Sequence, residues 1–559
     1  MSKRQRHGQT RRRRGHSSRV SSKRRLAAAG GLGLGATLAL GGTAHATDFT
    51  VTNLNPNGPG SLAQAVIDSN NNPGADRVLF QSGLSGTISL TGGLLFVNDA
   101  TQVLGPGADT ITVTLDPGNN GYEVFNVSDG SPGTFSDVTI SGLTLTGAQG
   151  YPTSPGGAIV SFERLTVSNV VITANHSQTE GGGIWAGGGG TLDVESSTIS
   201  NNTATGYGGA IYANNADVTI QSSTLSGNVV GEDGAGVYSG SGGNLLAIQN
   251  STIANNTVTA PNGDTGGGVF FCCGEGADRL SIQSSTISGN STAGHGGGVY
   301  TFDNVIGGYR PSLSNTIVAG NTAVSAAPDV ETLGPDGSLD AAFSLIGVTS
   351  GATINSTGPN LLGADPQLGP LASNGGTTQT MALPASSPAV DAGNTALTGD
   401  QRGSTRPFDF ASTANAVGGN GADIGAFELA PSSCQGKAPT IIARSGQTTN
   451  GTPGVDVIVG TDKRDVIKAG RGKDIVCGRS GNDKITGGKG NDKVSGDNGK
   501  DKLSGQAGKD LLKGGKGKDK LQGGKGNDKL KGGKGRDKLI GGPGKDRLSG
   551  GPGKDVQKQ

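Results

Sequence analysis

The chain of 559 residues has little aromatic content, 4%, with one tryptophan, Trp185. It holds four cysteines and two methionines, and charged residues make up 16%. Proline is scarce at 23 residues, and the 104 glycines do not recur at every third position; together these exclude a collagen-like triple helix. Beyond residue 46 no apolar run is long enough to cross a bilayer as a helix. Extended disorder is excluded as well, because Val, Ile, Leu and Thr return at regular intervals instead of thinning out. What is present is repetition: glycine marks turns, and short β-branched runs mark strands.

The net charge of +1 conceals three unlike segments. Residues 1–46 hold 11 Lys and Arg and no acid, residues 47–450 hold 8 against 30 Asp and Glu, and residues 451–559 hold 26 against 14. The first segment reads as a secretory signal peptide. Its basic stretch runs from Arg11 to Arg25, a Gly/Ala/Leu run extends from Leu26 to about Gly42, and Ala44-His45-Ala46 is a small-x-small cleavage signature. Arg24-Arg25 leaves general and twin-arginine export both open. The exported cysteines, Cys272, Cys273, Cys434 and Cys477, allow three pairings. Cys434 and Cys477 flank the start of the tail and read as a bridge; adjacent Cys272 and Cys273 are left open. With no CxxC pair and no His cluster, zinc is not expected.

In the acidic body one phrase recurs, as SSTISNN from Ser196 to Asn202, SSTLSGN from Ser222 to Asn228, NSTIANN from Asn250 to Asn256 and SSTISGN from Ser284 to Asn290. Its closing Asn falls at 175, 202, 228, 256, 290 and 321. Between these sits a Gly-rich phrase, at Gly181–Ile184, Gly208–Ile211, Gly234–Val237, Gly266–Val269 and Gly296–Val299. Such a period, with three strand-like runs per repeat, predicts coils of a parallel β-solenoid. Ile, Val and Leu would point inward, and Asn, Ser and Thr would form ladders at the turns.

Phe49-Thr50-Val51-Thr52, Gly58 to Ala65 and Asn72 to Asp76 resemble the opening of exported right-handed parallel β-helix proteins. The run Ser387 to Gly393, then Asp400-Gln401-Arg402-Gly403, Arg406-Pro407 and Asp423 to Glu428, resembles the choice-of-anchor Q domain. That domain caps such β-helices ahead of surface anchors. The resemblance covers nearly all of residues 47–430 and implies pectin-lyase-like architecture without pectin-lyase activity. Gly294-His295-Gly296 matches one polygalacturonase motif, but it lies inside the Gly-rich phrase and its companion Asn-Thr-Asp, Asp-Asp and Arg-Ile-Lys motifs are missing, so His295 reads as a turn residue. Arg402 and Arg406 are expected to pair with Asp391, Asp400 or Asp423 as a structural network.

In the tail every ninth residue is aspartate: Asp456, Asp465, Asp474, Asp483, Asp492, Asp501, Asp510, Asp519, Asp528, Asp537, Asp546 and Asp555. Two residues after each stands Ile, Val or Leu, except at Gln557. Gly stands two before each Asp except at Lys463, and five before each except at Ala469. Gly523 to Leu530 fits G-G-x-G-x-D-x-U-x, and the tail resembles the hemolysin-type (RTX) calcium-binding repeat. The glycines permit tight turns, the carboxylates and backbone carbonyls offer the oxygen ligands a hard cation prefers, and a metal supplies folding energy that so thin a core lacks. All twelve Asp are candidate Ca²⁺ ligands. Unlike the usually acidic RTX tail, this one fills its x positions with lysine, among them Lys484, Lys493, Lys520 and Lys529. Those lysines should point outward, where they lower calcium affinity and offer a charged face to anionic wall or matrix polymers. No aromatic residues interleave with them, so specific nucleic-acid recognition is not expected.

The expected fold is all-β: a signal peptide at 1–46, a right-handed parallel β-helix at 47–430 with its closing segment from about 346, a linker at 431–450, and a parallel β-roll of nonapeptide repeats at 451–559. The expected function is that of a secreted, calcium-binding, adhesin-like and non-catalytic protein of the cell surface or matrix. The alternative is a secreted polysaccharide lyase or hydrolase with a wall-binding tail.

Overall fold

A strand such as Thr191–Glu195 places Leu192 and Val194 on one side of the backbone, and both are fully buried. The same pair recurs one coil on as Val218 and Ile220, then as Leu246 and Ile248, then as Leu280 and Ile282, in parallel register. Stacking these pairs builds one continuous apolar core through the body. The computed structural model describes residues 46–559 apart from 92, 117–122, 132, 151–154, 241–244, 261–264, 273–278, 303–309, 325–326, 335–336, 411–412, 430–433, 438, 444–446 and 462. The signal peptide thus lies outside the described residues but for Ala46.

The body is a parallel β-helix. One sheet of twelve strands runs from Asp48–Val51 to Thr353–Ser356, one of eleven from Gly86–Leu90 to Leu361–Leu362, and one of nine from Leu95–Val97 to Val330–Leu333. A fourth sheet of six short strands, from His176–Ser177 to Thr322–Ala323, sits between the second and third in six successive coils. One helix is present among the described residues, Leu62–Asn70, formed by part of the opening motif. Ser61 caps it by accepting from the Gln64 N–H, and Leu62, Ala65 and Val66 are buried in the body's core.

Polar ladders hold the turns. The Asn175, Asn202, Asn228, Asn256 and Asn290 amides each donate from Nδ2 to Oδ1 of the next Asn at 2.8–3.1 Å, and Asn321 donates to Asp329, which ends the run. The residue before each ladder Asn takes the left-handed turn, as Asn201, Gly227, Asn255 or Gly289. Two adjacent positions therefore divide the work expected of one: the first bends the chain and the second bonds between coils.

The closing segment departs from the end cap implied by its resemblance. It runs along the side of the helix. Thr378 donates to Ser222 O, Gln401 to Ser223 O and Thr224 Oγ1, Thr252 to Gln401, and Asn315 to Asp423 O. Its polar groups engage the corner between the first two sheets, where carbonyls and hydroxyls line up coil after coil. Arg402 pairs with Asp400 at 2.6 Å, as expected, but Arg406 pairs with buried Glu428 at 2.8 Å. Asp391 and Asp423 instead accept backbone N–H groups from Phe410 and Leu429.

The tail is a two-sheet roll with eighteen residues, two nonapeptides, per coil. Its first strands, Ile441–Ile442 and Thr448–Asn450, lie inside the segment read as a linker and pair with Val457–Val459 and Val466–Arg471. Ile467, Val476, Ile485, Val494 and the leucines from Leu503 to Leu539 form its core. Cys434 and Cys477 are disulfide-bonded, tying the approach segment to the first coils. Cys272 is disulfide-bonded too, whereas Cys273 lies outside the described residues.

Removing one rung of the Asn ladder leaves the Asn228 backbone N–H and one Asn228 Nδ2–H without partners. Asn256→Ala should cost roughly 3 kcal/mol or more, since each orphaned buried group costs about 1–3 kcal/mol. Asn255→Gly, which copies Gly227 and Gly289 of neighbouring coils, should stay within about 0.5 kcal/mol. Chemical denaturation of the two variants measures the contrast.

Candidate metal centre

The glycines of the nonapeptide turn the chain tightly enough to bring each Asp over the Asp of the next coil. The N–H of every Asp from Asp456 to Asp537 donates to Oδ1 of the Asp eighteen residues on, at 2.8–3.0 Å. Two columns result, one on each edge of the roll. From Asp456 to Asp537 the side chains are buried.

The second carboxylate oxygen divides the twelve residues. In Asp474, Asp483, Asp492, Asp501, Asp510, Asp519, Asp528, Asp537 and Asp546, Oδ2 is buried with no hydrogen-bond partner. In Asp456 and Asp465 it is satisfied: the Thr452 and Thr461 N–H groups donate to it at 2.7 and 2.6 Å, and the threonine hydroxyls add further bonds. Asp555, at the last coil, is half-exposed. Twelve equivalent ligands in the sequence thus become nine orphaned carboxylates, two capped ones and a terminal one. The signal that separates them was present, because Thr follows the glycine or equivalent only in the first two repeats.

The space beside eight of the nine orphaned oxygens is kept by glycine; beside Asp474 stands Ala469. A methyl group built on Gly523 would lie 2.5 Å from Asp528 Oδ2 and 2.7 Å from the Gly541 carbonyl oxygen. At these glycines, carboxylate and carbonyl oxygens of successive coils therefore converge on a point that a side chain would fill. An unpartnered buried carboxylate oxygen beside a carbonyl suits a hard, oxygen-seeking cation. No three His, Cys, Asp or Glu side chains cluster among the described residues, so backbone carbonyls must complete any ligand set.

Burial pushes these carboxyls up: Asp483 and Asp501 to about 7, Asp474, Asp510 and Asp519 to about 6, with Asp492 and Asp528 raised as well. Backbone N–H donation opposes the shift in each.

On the body, His295 sits on its turn with Nδ1 3.0 Å from Glu331 Oε1. Sequence reasoning overlooked one feature there. Trp185, Tyr212, Tyr238, Phe270 and Tyr300 stack in a column outside the main core, with ring centroids 4.7–6.4 Å apart. The signal was an aromatic residue directly after each Gly-rich phrase. The stacked rings cover one another's faces, so the column packs the sheet.

Residues 120–323 match the family described as the right handed beta helix region, and overlapping stretches from 450 to 556 match the RTX calcium-binding nonapeptide repeat. No curated protein matches the chain. Among solved structures, one titled "Structure of PL6 family alginate lyase AlyGC" aligns over 90% of this chain and 79% of its own at 11% identity, with a TM-score of 0.19, too low to support an argument. The chain carries a β-helix region followed by RTX repeats, a repeat type known to bind calcium. No helix among the described residues is long and apolar enough to cross a membrane.

A carboxyl whose folded pKa exceeds its unfolded value near 3.8 favours the folded state fully below about pH 4, and that contribution is lost as pH rises through 6–7. With calcium chelated, the roll's melting temperature should fall between about pH 4.5 and 7.5; calcorimetric scans of the full chain with and without Ca²⁺ test this. Asp519→Asn should melt higher than the parent at neutral pH without metal and lower with saturating Ca²⁺, as the same scans would show.

Proposed function

We propose that the chain is a secreted, non-catalytic, adhesin-like protein whose RTX tail folds on calcium and holds the β-helix body at a cell surface or in a matrix. The observation that carries this reading is the double column of buried, partnerless Asp Oδ2 atoms in the repeats that match the RTX family. Proteins with such repeats are typically exported, which agrees with the signal read at residues 1–46. The nine residues from Asp474 to Asp546 are the proposed ligands, and bound calcium would supply the positive charge that lets them stay ionised inside the roll. Asp456 and Asp465 are closing rungs, held by threonine. No observation favours the polysaccharide-acting alternative over this reading.

The full chain, titrated with Ca²⁺ and with Mg²⁺ as control, should gain β-signal in circular dichroism with Ca²⁺ alone, with several ions bound per chain by equilibrium dialysis. Asp501→Ala and Asp510→Ala together should reduce the number bound, while Asp456→Ala should not. Full β-signal without metal and no uptake of calcium would refute the reading.

A further inference from the structure

The tail's net charge understates what its surface presents. Of its 14 acids, twelve are the ladder Asp, which the roll turns toward its own edges; two, Asp462 and Asp497, remain to set against 26 Lys and Arg. No ion pair joins a tail lysine to a carboxylate among the described residues.

The eighteen-residue coil also sorts these cations unequally between the two sheets. On one, Lys484, Lys502, Lys520 and Lys538 stand in register on successive strands, all exposed. At the equivalent position of the other sheet, Leu511 interrupts Lys493, Lys529 and Arg547. The four lysines border a shallow groove whose other bank is Thr486, Ser504 and Gln522, also in register. Neighbouring strands lie about 4.8 Å apart, so at that spacing each strand adds one cation to one bank and one hydroxyl or amide to the other.

We propose that this face binds a linear anionic polysaccharide laid along the stacking axis, and that calcium controls the binding. The lysine column recognises the carboxylates, and the Thr486–Gln522 bank meets the sugar hydroxyls. A nucleic acid fits less well, because residues 451–559 contain no Phe, Tyr or Trp to stack a base. Control by calcium rests on the function proposed above. Folding aligns lysines that are scattered along an unfolded chain.

The test uses the full chain and oligogalacturonates too short to gel with calcium, with binding measured by calorimetry in Ca²⁺ and after chelation. Calcium uptake is measured separately by dialysis. One variant carries Lys→Gln at 484, 502, 520 and 538; a control carries Lys→Gln at 493, 513, 529 and 531 on the opposite sheet. The first should weaken binding roughly tenfold or more, since four exposed charge pairs each contribute about a factor of two, and the control about threefold at most. Chelation should abolish binding by the parent chain. Equal losses in the two variants, binding that survives chelation, or equally tight binding of single-stranded DNA of the same charge would overturn the inference. A chain that takes up calcium and ignores the glycan sinks this inference and leaves the metal reading standing. A chain that takes up no calcium sinks the metal reading, and with it the control by calcium.

Discussion

A polar side chain buried in a stacked coil has to find its partner one coil away, because the core beside it is apolar and water is excluded. The two halves of this protein meet that constraint with different chemistry. In the body the ladder residue is asparagine, whose amide both donates and accepts, so each rung satisfies the next until Asp329 ends the run. In the tail the ladder residue is aspartate. An ionised carboxylate only accepts; one oxygen takes the neighbouring N–H, and the other is left over. The body closes its own hydrogen-bond ledger, and the tail requires a proton or a cation.

That difference connects the tail's other properties. Burial raises the carboxyl pKa values toward neutrality, so protons and metal compete for the same oxygens. The thin core, one Ile, Val or Leu per nonapeptide, offers little apolar area to offset buried charge. The glycine beside eight of the nine orphaned oxygens cannot carry a side chain without filling the space a cation would take. With the acids turned to the edges, lysine dominates the exterior.

The closing segment shows the same economy of partners. The corner between the first two sheets presents a hydroxyl or a carbonyl at each coil, and the segment from Thr378 to Asp423 answers them across several coils. Its own acids exceed its arginines, and the buried carboxyls left without an arginine, Asp391 and Asp423, are held by backbone donors. Arg402 also lies 3.7 Å over the Phe427 ring, which gives the guanidinium a second partner beside Asp400.

Periodicity made most of the fold legible. A repeat of 26 to 34 residues with three short strands admits few architectures, and a nonapeptide with Gly, Asp and Leu at set positions admits fewer still. Strand direction, inward residues and the candidate ligands follow from spacing, because side-chain direction alternates along a strand whatever surrounds it. Contacts between coils and between distant segments were not legible. Which lysines share a face, and that the closing segment lies along the flank, depend on residues far apart in sequence. Their meeting is set by the number of residues per coil and by the run of loops between strands. The chain's local chemistry determined that it would stack; the tertiary structure decided which oxygens the stacking leaves without a partner.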